Sequence, residues 1–268
     1  MRPCEVTLPG EDKRREKVFS IVFFWVLLAG VLQLCSAPHS YGASPSTAVN
    51  RGGHFRVVYF GAENSVAGHL ISLVLEEAYI KVGADLLYWP TERLGVELYP
   101  KKEFFDITRS PSWVGAIYDG KIKMPAGGVV ERTRELERVL FHEYTHAVVY
   151  RLSAGRAPAW LNEGLAQHEE GPRRHGFSRH VKALLREGGM PLASIERSFL
   201  SLPPERAARA YALSLSVTGY IIDEFGFSSL KRILATLGQG QDLDSALRAS
   251  IFLSYEDLEK SWRGWASR

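Results

Sequence analysis

Cysteine is scarce in this chain of 268 residues, which has only Cys4 and Cys35, both close to the N-terminus. The sequence that follows can form no disulfide, so cysteine usage says nothing about the redox compartment. A strong charge of one sign is also missing, because 33 basic and 30 acidic residues are well mixed and leave a formal charge of +3. Without a basic patch, a nucleic-acid partner is not expected. The length suits one large domain or two small ones.

Charged residues are absent from positions 18–32, VFSIVFFWVLLAGVL, which follow a basic segment at 13–17. A basic flank before an uncharged run is typical of a signal peptide, and the run is short for a membrane span of about 20 residues. We therefore predict that residues 1–36 are a signal peptide. Because no clean cleavage site follows, an uncleaved membrane anchor is the alternative. Either would export the chain to a periplasmic, secreted or membrane-tethered location, whereas the large residue before Cys35 disfavours lipidation.

The pattern beyond this leader predicts an α+β fold. Residues 37–53 are rich in Ser, Pro, Ala and Gly and are interpreted as a linker, with the folded domain over 54–268. Alternating apolar residues predict strands, and apolar residues at helical spacing predict a helix over 65–82 that ends at Gly83. The predicted strands lie at 54–61, at 94–100 and on both sides of an Asp-Gly turn within 113–125. The later predicted helices cover 131–152, 157–170, 178–187, 205–225, 228–237, 242–250 and 255–266.

One predicted helix carries two histidines in the stretch LFHEYTHAVV. Residues four apart share a helix face, so His142 and His146 can bind one tetrahedral zinc ion. Glu143 is turned by about 100° around the helix, so it can reach a water beside the metal and accept its proton. This is the chemistry of an HExxH motif, whereas a lone buried histidine is more often an ordinary core residue.

A catalytic zinc needs a third protein ligand and an open fourth position. Glu163, in AWLNEGLA, lies seventeen residues after His146 on the next predicted helix. The intervening loop permits an antiparallel return, so Glu163 can face the two histidines. Gly164 is expected to allow a close approach near the metal.

HEYTH followed by PAWLNEGLA resembles the gluzincin metallopeptidases, and most of all the bacterial peptidase MA-like group. The similarity extends weakly over about residues 54–266. It implies a thermolysin-like core, in which a small sheet and a helix precede a mainly helical subdomain and the active-site cleft lies between them. It also implies that His142, His146 and Glu163 hold one zinc ion per chain and that Glu143 is the general base.

Two departures from the family pattern affect the surroundings of the metal. The segment with which related aminopeptidases hold a substrate's free N-terminus is replaced by VGAIYDG, so an aminopeptidase is not expected. Thermolysin-like enzymes also have an aspartate where this chain has Gln167. Glu170 shares the helix face of Glu163 and can hydrogen-bond a ligand histidine, although a solvent-facing Glu169–Glu170 pair is an equal alternative. Asn162 is likewise expected beside the ligands.

The oxyanion of the reaction needs a further hydrogen-bond donor. The resemblance indicates Tyr211 for this role, with Tyr220 as the competitor and two core aromatics as the plain alternative. Residues 113–124 are expected to offer an edge strand along which an extended peptide lies. Gly115, Ala116 and Ile117 would contact the substrate.

The sequence thus predicts an exported zinc metallopeptidase that acts on a peptide or protein. One rival is a non-catalytic binding or scaffold protein of the same fold, which the intact Glu143 disfavours. A second rival is a hydrolase of a non-peptide amide, such as a cell-wall cross-link, which the sequence does not separate from a peptidase.

Overall fold

The computed structural model describes residues 47–50, 53–60, 65–110, 114–172 and 176–268. The leader expected over 1–36 lies outside the described residues. Within the described ranges, no helix combines the length and the apolar composition that a bilayer crossing requires.

A five-stranded mixed sheet forms the N-terminal part of this structure. Its strands are β1 (Thr47–Asn50), β2 (Phe55–Phe60), β3 (Leu94–Tyr99), β4 (Ile117–Tyr118) and β5 (Ile122–Pro125). Their order across the sheet is β1-β2-β3-β5-β4. The central pairs β2–β3 and β3–β5 are parallel, whereas β1 and β4 pair antiparallel at the two edges. Among the strands that the structure describes, β4 therefore pairs on one side of its backbone only.

Helices fill most of the remaining chain, which confirms the mixed α+β class. The first two are α1 (Ser65–Leu86) and α2 (Lys101–Thr108). The later ones are α3 (Arg134–Ser153), α4 (Ala159–Glu169), α5 (Phe177–Arg186), α6 (Pro204–Phe225), α7 (Phe227–Gly238), α8 (Leu243–Ile251) and α9 (Tyr255–Ala266). Two short 3₁₀ turns, Leu192–Ile195 and Phe199–Ser201, connect α5 to α6.

Helix α3 has well-defined ends and a buried face. The Thr133 hydroxyl accepts a hydrogen bond from the Leu136 amide at 3.1 Å, which caps the N-terminus. Ala154, at φ 50°, ends the helix in the left-handed conformation. Leu140, Tyr144 and Val148 are buried in the core that α3 shares with α1 and the sheet. Because these three side chains face the core, the histidines lie on a different side of α3.

Two sequence-based boundaries differ from the structure. Residues 47–50 form β1, so the sheet begins inside the segment assigned to a linker. Gly83 does not end α1, which continues to Leu86. A Cβ at Gly83 would lie 2.4 Å from the indole nitrogen of Trp89. This glycine therefore makes room for a tryptophan instead of capping a helix.

Candidate metal centre

Helices α3 and α4 run antiparallel and bring three of the expected residues together. His142 and His146 lie one turn apart on α3, with ring centroids 4.6 Å apart and nearly perpendicular planes. Glu163 faces them from α4. Among the described residues, His142, His146 and Glu163 are the one set of three whose ligand atoms all lie within 4.8 Å of one another. The set could hold a metal ion.

Both imidazoles are oriented by hydrogen bonds at Nδ1. His142 Nδ1 donates to Glu170 Oε1 at 2.8 Å, and His146 Nδ1 donates to Asn162 Oδ1 at 2.9 Å. These bonds hold a proton at each Nδ1 and direct each Nε2 toward the centre of the set. Glu170 and Asn162 thus each lie within hydrogen-bond distance of one of the two histidines.

The carboxylate of Glu163 completes this centre. Its Oε2 is 3.6 Å from His142 Nε2 and 3.9 Å from His146 Nε2, both too long for hydrogen bonds. The same oxygen is buried and has no hydrogen-bond partner among the residues that the structure describes. A buried carboxylate oxygen without a partner is costly unless a cation binds it. The donor set therefore fits a metal ion better than a plain hydrogen-bond network.

Burial and charge act against each other on these groups. Burial lowers the pKa of His142, but the carboxylates of Glu163 and Glu170 outweigh it and raise that pKa to about 10. A metal ion that binds at Nε2 must consequently displace a proton. Burial raises the pKa of Glu163, yet the two histidines hold it below its ordinary value. Glu163 is therefore charged at neutral pH, as a metal ligand must be.

Glu143 lies beside the centre without belonging to it. Its side chain is 7% exposed and lines the same cleft as the histidines. Burial raises its pKa, and the nearby histidines only partly oppose this effect. A carboxylate with a raised pKa is a better proton acceptor than an ordinary one.

The two candidate tyrosines face different surroundings. Tyr211, on α6, lines the cleft together with Glu143. Burial and then the charges of Glu163 and Glu143 raise its pKa, so the hydroxyl keeps its proton and can donate a hydrogen bond. Tyr220 instead packs against Phe225 and Trp265, with ring centroids 5.9 and 5.7 Å apart. Within the described part of the chain, Tyr220 does not contribute to the cleft wall.

The cleft has a volume of about 800 Å³ and is bounded on one side by β4. Gly115, Ala116 and Ile117 line it, although only Ile117 belongs to the two-residue strand. A Cβ at Gly115 would lie 3.4 Å from a methyl group of Val139 on α3. This segment thus runs close above α3, beside the histidines.

One interpretation of the site helix is wrong. Glu169 and Glu170 do not form a solvent-facing pair, because Glu169 is 1% exposed and forms an ion pair with Lys81 of α1. Gly164, next to Glu163, does allow a close approach. Its missing side chain lets α4 contact α6, where a Cβ would lie 2.3 Å from the Ser214 carbonyl oxygen.

The contacts of two side chains near the centre were not predicted from the sequence. Arg138 donates from Nε and Nη2 to Glu170 Oε2, the former at 3.1 Å, and so holds the carboxylate that orients His142. Gln167 donates to backbone carbonyls on both α4 and α6. Arg138 stands four residues before His142, so its helical spacing was a usable signal. Nothing in the sequence indicates the contact that Gln167 makes with α6.

A family model described as the peptidase MA superfamily matches residues 106–268, more than half of the chain. The chain belongs to the peptidase MA superfamily. The matched span contains β4 and α3 to α6, and with them the whole centre described above. A comparison with curated proteins finds no match. Membership of this superfamily indicates a peptidase, and such proteins are typically metal-dependent, which agrees with the His-His-Glu set.

Proposed function

We propose that this protein is a zinc metallopeptidase of the gluzincin type, built on a thermolysin-like core. The observation that supports it best is the convergence of His142 Nε2, His146 Nε2 and Glu163 Oε2. A tetrahedral zinc ion with ligands at about 2.0–2.1 Å separates its ligand atoms by about 3.4 Å. The two distances from Glu163 Oε2 are 3.6 and 3.9 Å. A small inward movement of the side chains would suffice to coordinate one ion per chain.

The chemistry of this proposal divides between the ion and the side chains. Bound zinc lowers the pKa of a water molecule and polarises a carbonyl group. Glu143 accepts the proton of the attacking water and delivers it to the leaving nitrogen of the peptide. Tyr211 donates a hydrogen bond to the oxygen that becomes negative during attack.

The substrate in this proposal is a peptide or protein in an extended conformation. Strand β4 is an edge strand beside the centre, and Gly115, Ala116 and Ile117 border the cleft. An extended peptide can pair with such an edge through its backbone, which holds it largely independent of side-chain identity. Residues 1–36 would export the domain at 54–268 or tether it to a membrane.

The two glutamates provide the test, because the proposal gives them different roles. In the full-length chain, Glu143→Gln should retain zinc and fold but lose at least about 10²–10⁴ in peptide hydrolysis, the usual value of a general base. Glu163→Gln should lose zinc itself, since a neutral amide is a weaker ligand than a carboxylate. Zinc content by elemental analysis and cleavage of a peptide library, with and without chelator, measure both effects.

Each alternative outcome points elsewhere. Full activity in Glu143→Gln would remove the base from the mechanism. Zinc binding without hydrolysis in the parent protein would favour a binding protein of the same fold. A parent protein with less than a tenth of an equivalent of zinc, after expression with adequate zinc, would contradict the metal centre. Exposed Glu92→Gln, outside the cleft wall, is a matched control that should change neither quantity.

A further inference from the structure

Gln167 joins the helix of the proposed metal ligand to the helix of the proposed oxyanion donor. Its Nε2 donates to the Glu163 carbonyl oxygen at 3.1 Å and to the Tyr211 carbonyl oxygen at 3.0 Å. A side-chain amide has two hydrogens, so both are used. One amide group therefore links the backbones of two residues that are 48 positions apart in the sequence.

The contact with Glu163 alone would be an ordinary local bond within α4. The contact with Tyr211 is different, because it crosses from α4 to α6 and reaches the backbone of a cleft residue. The Tyr211 ring also packs edge-on against Phe199, with centroids 5.1 Å apart. The backbone and the ring of Tyr211 are thus each held by a separate neighbour.

One turn earlier on α4, Gly164 sets the distance between the two helices. A Cβ there would lie 2.3 Å from the Ser214 carbonyl oxygen and 2.1 Å from Thr218 Oγ1. The helices are thus in direct contact at this point. Gln167 adds a hydrogen bond between them nearer the start of α6, at the level of Tyr211.

We propose that Gln167 is a positioning residue that sets the reach of the Tyr211 hydroxyl over the metal centre. The inference rests on the proposed function, in which Tyr211 stabilises the oxyanion. A hydroxyl contributes there only within hydrogen-bond distance of the reacting oxygen. A misplacement of about 1 Å can cost about 10²-fold in rate. Gln167 thus takes a role different from that of the aspartate expected at its position, whose contact with a ligand histidine is made by Glu170.

The test compares Gln167→Met with Gln241→Met in the full-length, zinc-loaded chain. Methionine keeps the length of glutamine and removes both donors, and Gln241 is an exposed glutamine outside the cleft wall. We expect Gln167→Met to lower kcat by about 10- to 100-fold with little change in KM, zinc content or circular dichroism. Gln241→Met should leave all four unchanged.

A double-mutant cycle separates positioning from general weakening of the fold. If Gln167 acts through Tyr211, then Gln167→Met should cost less than about twofold in kcat in a Tyr211→Phe background, because contacting residues are not additive. An equal loss in both backgrounds would overturn the proposal. So would an unchanged kcat in the single variant. Should Gln167→Met fold poorly, Gln167→Glu keeps the shape and replaces the donors by a repelling carboxylate, and the same cycle applies.

A measurement without turnover distinguishes failure of this inference from failure of the proposed function. With 3-fluorotyrosine at the 11 tyrosines, the ¹⁹F resonance that disappears in Tyr211→Phe belongs to Tyr211. Gln167→Met should shift or broaden that resonance, and Gln241→Met should not. A moved resonance in a protein without peptidase activity would support the link and refute the proposed function. A resonance that stays in place would refute the link in either case.

Discussion

Gly164→Ala should strongly weaken the contact between α4 and α6. The added methyl group would lie 2.3 Å from the Ser214 carbonyl oxygen and 2.1 Å from Thr218 Oγ1. The Thr218 side chain can rotate, but the Ser214 oxygen belongs to the helix backbone. Relief to an ordinary contact near 3.4 Å therefore requires α6 to move by about 1 Å, since packed interiors offer no spare volume.

The size of the effect follows from two opposing contributions. Inserting a methyl group into a packed core typically costs about 1–3 kcal/mol, and a backbone clash belongs at the upper end. Replacing glycine by alanine inside a helix stabilises by about 0.5–1 kcal/mol. The free energy of unfolding should thus fall by about 2 kcal/mol. The same shift carries Tyr211 away from Glu163, so peptide hydrolysis should fall more than the folded fraction does.

Gly264→Ala is the matched control, because a Cβ at Gly264 in α9 meets nothing within 4 Å. The free energy of unfolding of that variant should rise by about 0.5–1 kcal/mol, because only the higher helix propensity of alanine contributes. Urea denaturation followed by circular dichroism gives both values through the shift of the midpoint. If Gly164→Ala proves as stable as the parent, α4 and α6 do not pack as closely as described, and the geometry argued for Tyr211 is wrong.

Three further predictions concern the centre, acid stability and export. Glu170→Gln removes the charge that orients His142 and should weaken zinc binding by about 10–100-fold, as measured by competition with a chelating dye. Burial raises the pKa of Glu97 on β3, but hydrogen bonds from a neighbouring lysine and tyrosine outweigh it and hold the pKa below 4.5. A lowered folded-state pKa stabilises above the unfolded value and this stability is lost as pH falls. In urea titrations at several pH values, Glu97→Gln should therefore lose less stability than the parent below pH 4.5, and an equal loss in both proteins would contradict this assignment. Residues 1–50 fused to a reporter that is active only outside the cytoplasm should give signal, and a silent reporter beside a working cytoplasmic one would contradict export.

Helical spacing allowed the candidate metal centre to be predicted from the sequence. His142 and His146 are four apart in a strongly patterned segment, and the observed helix 134–153 differs from the expected 131–152 by a few residues at its ends. Glu163 followed because a short loop forces the next helix to return alongside. Each of these inferences uses local geometry, which the sequence determines directly.

Where the sequence left alternative environments for a side chain, tertiary contacts determine which one is correct. Tyr211 and Tyr220 are nine residues apart on α6, and at about 100° per residue they point to opposite sides of the helix. Periodicity therefore shows that they differ, but only the packing of α6 shows which one faces the cleft. The same holds for Glu169 and Glu170, since the first forms an ion pair with Lys81 of α1 and the second with Arg138 of α3. Strand β1 likewise depends on pairing with β2, which its own four residues do not indicate.

The antiparallel arrangement of α3 and α4 explains why Glu170, and not Gln167, contacts His142. Moving toward the C-terminus of α4 means moving toward the N-terminus of α3, so Asn162 meets His146 while Glu170 meets His142. Glu163 and Glu170 are seven apart and share one helix face. A carboxylate at the later position therefore reaches His142 from one turn further along. With that contact made by Glu170, Gln167 donates to α6. One face of α4 therefore carries the proposed ligand, the histidine partner and the link to Tyr211. Because these side chains share one rigid helix, a change in the orientation of α4 alters all three contacts together, and substitutions along this face should not be additive.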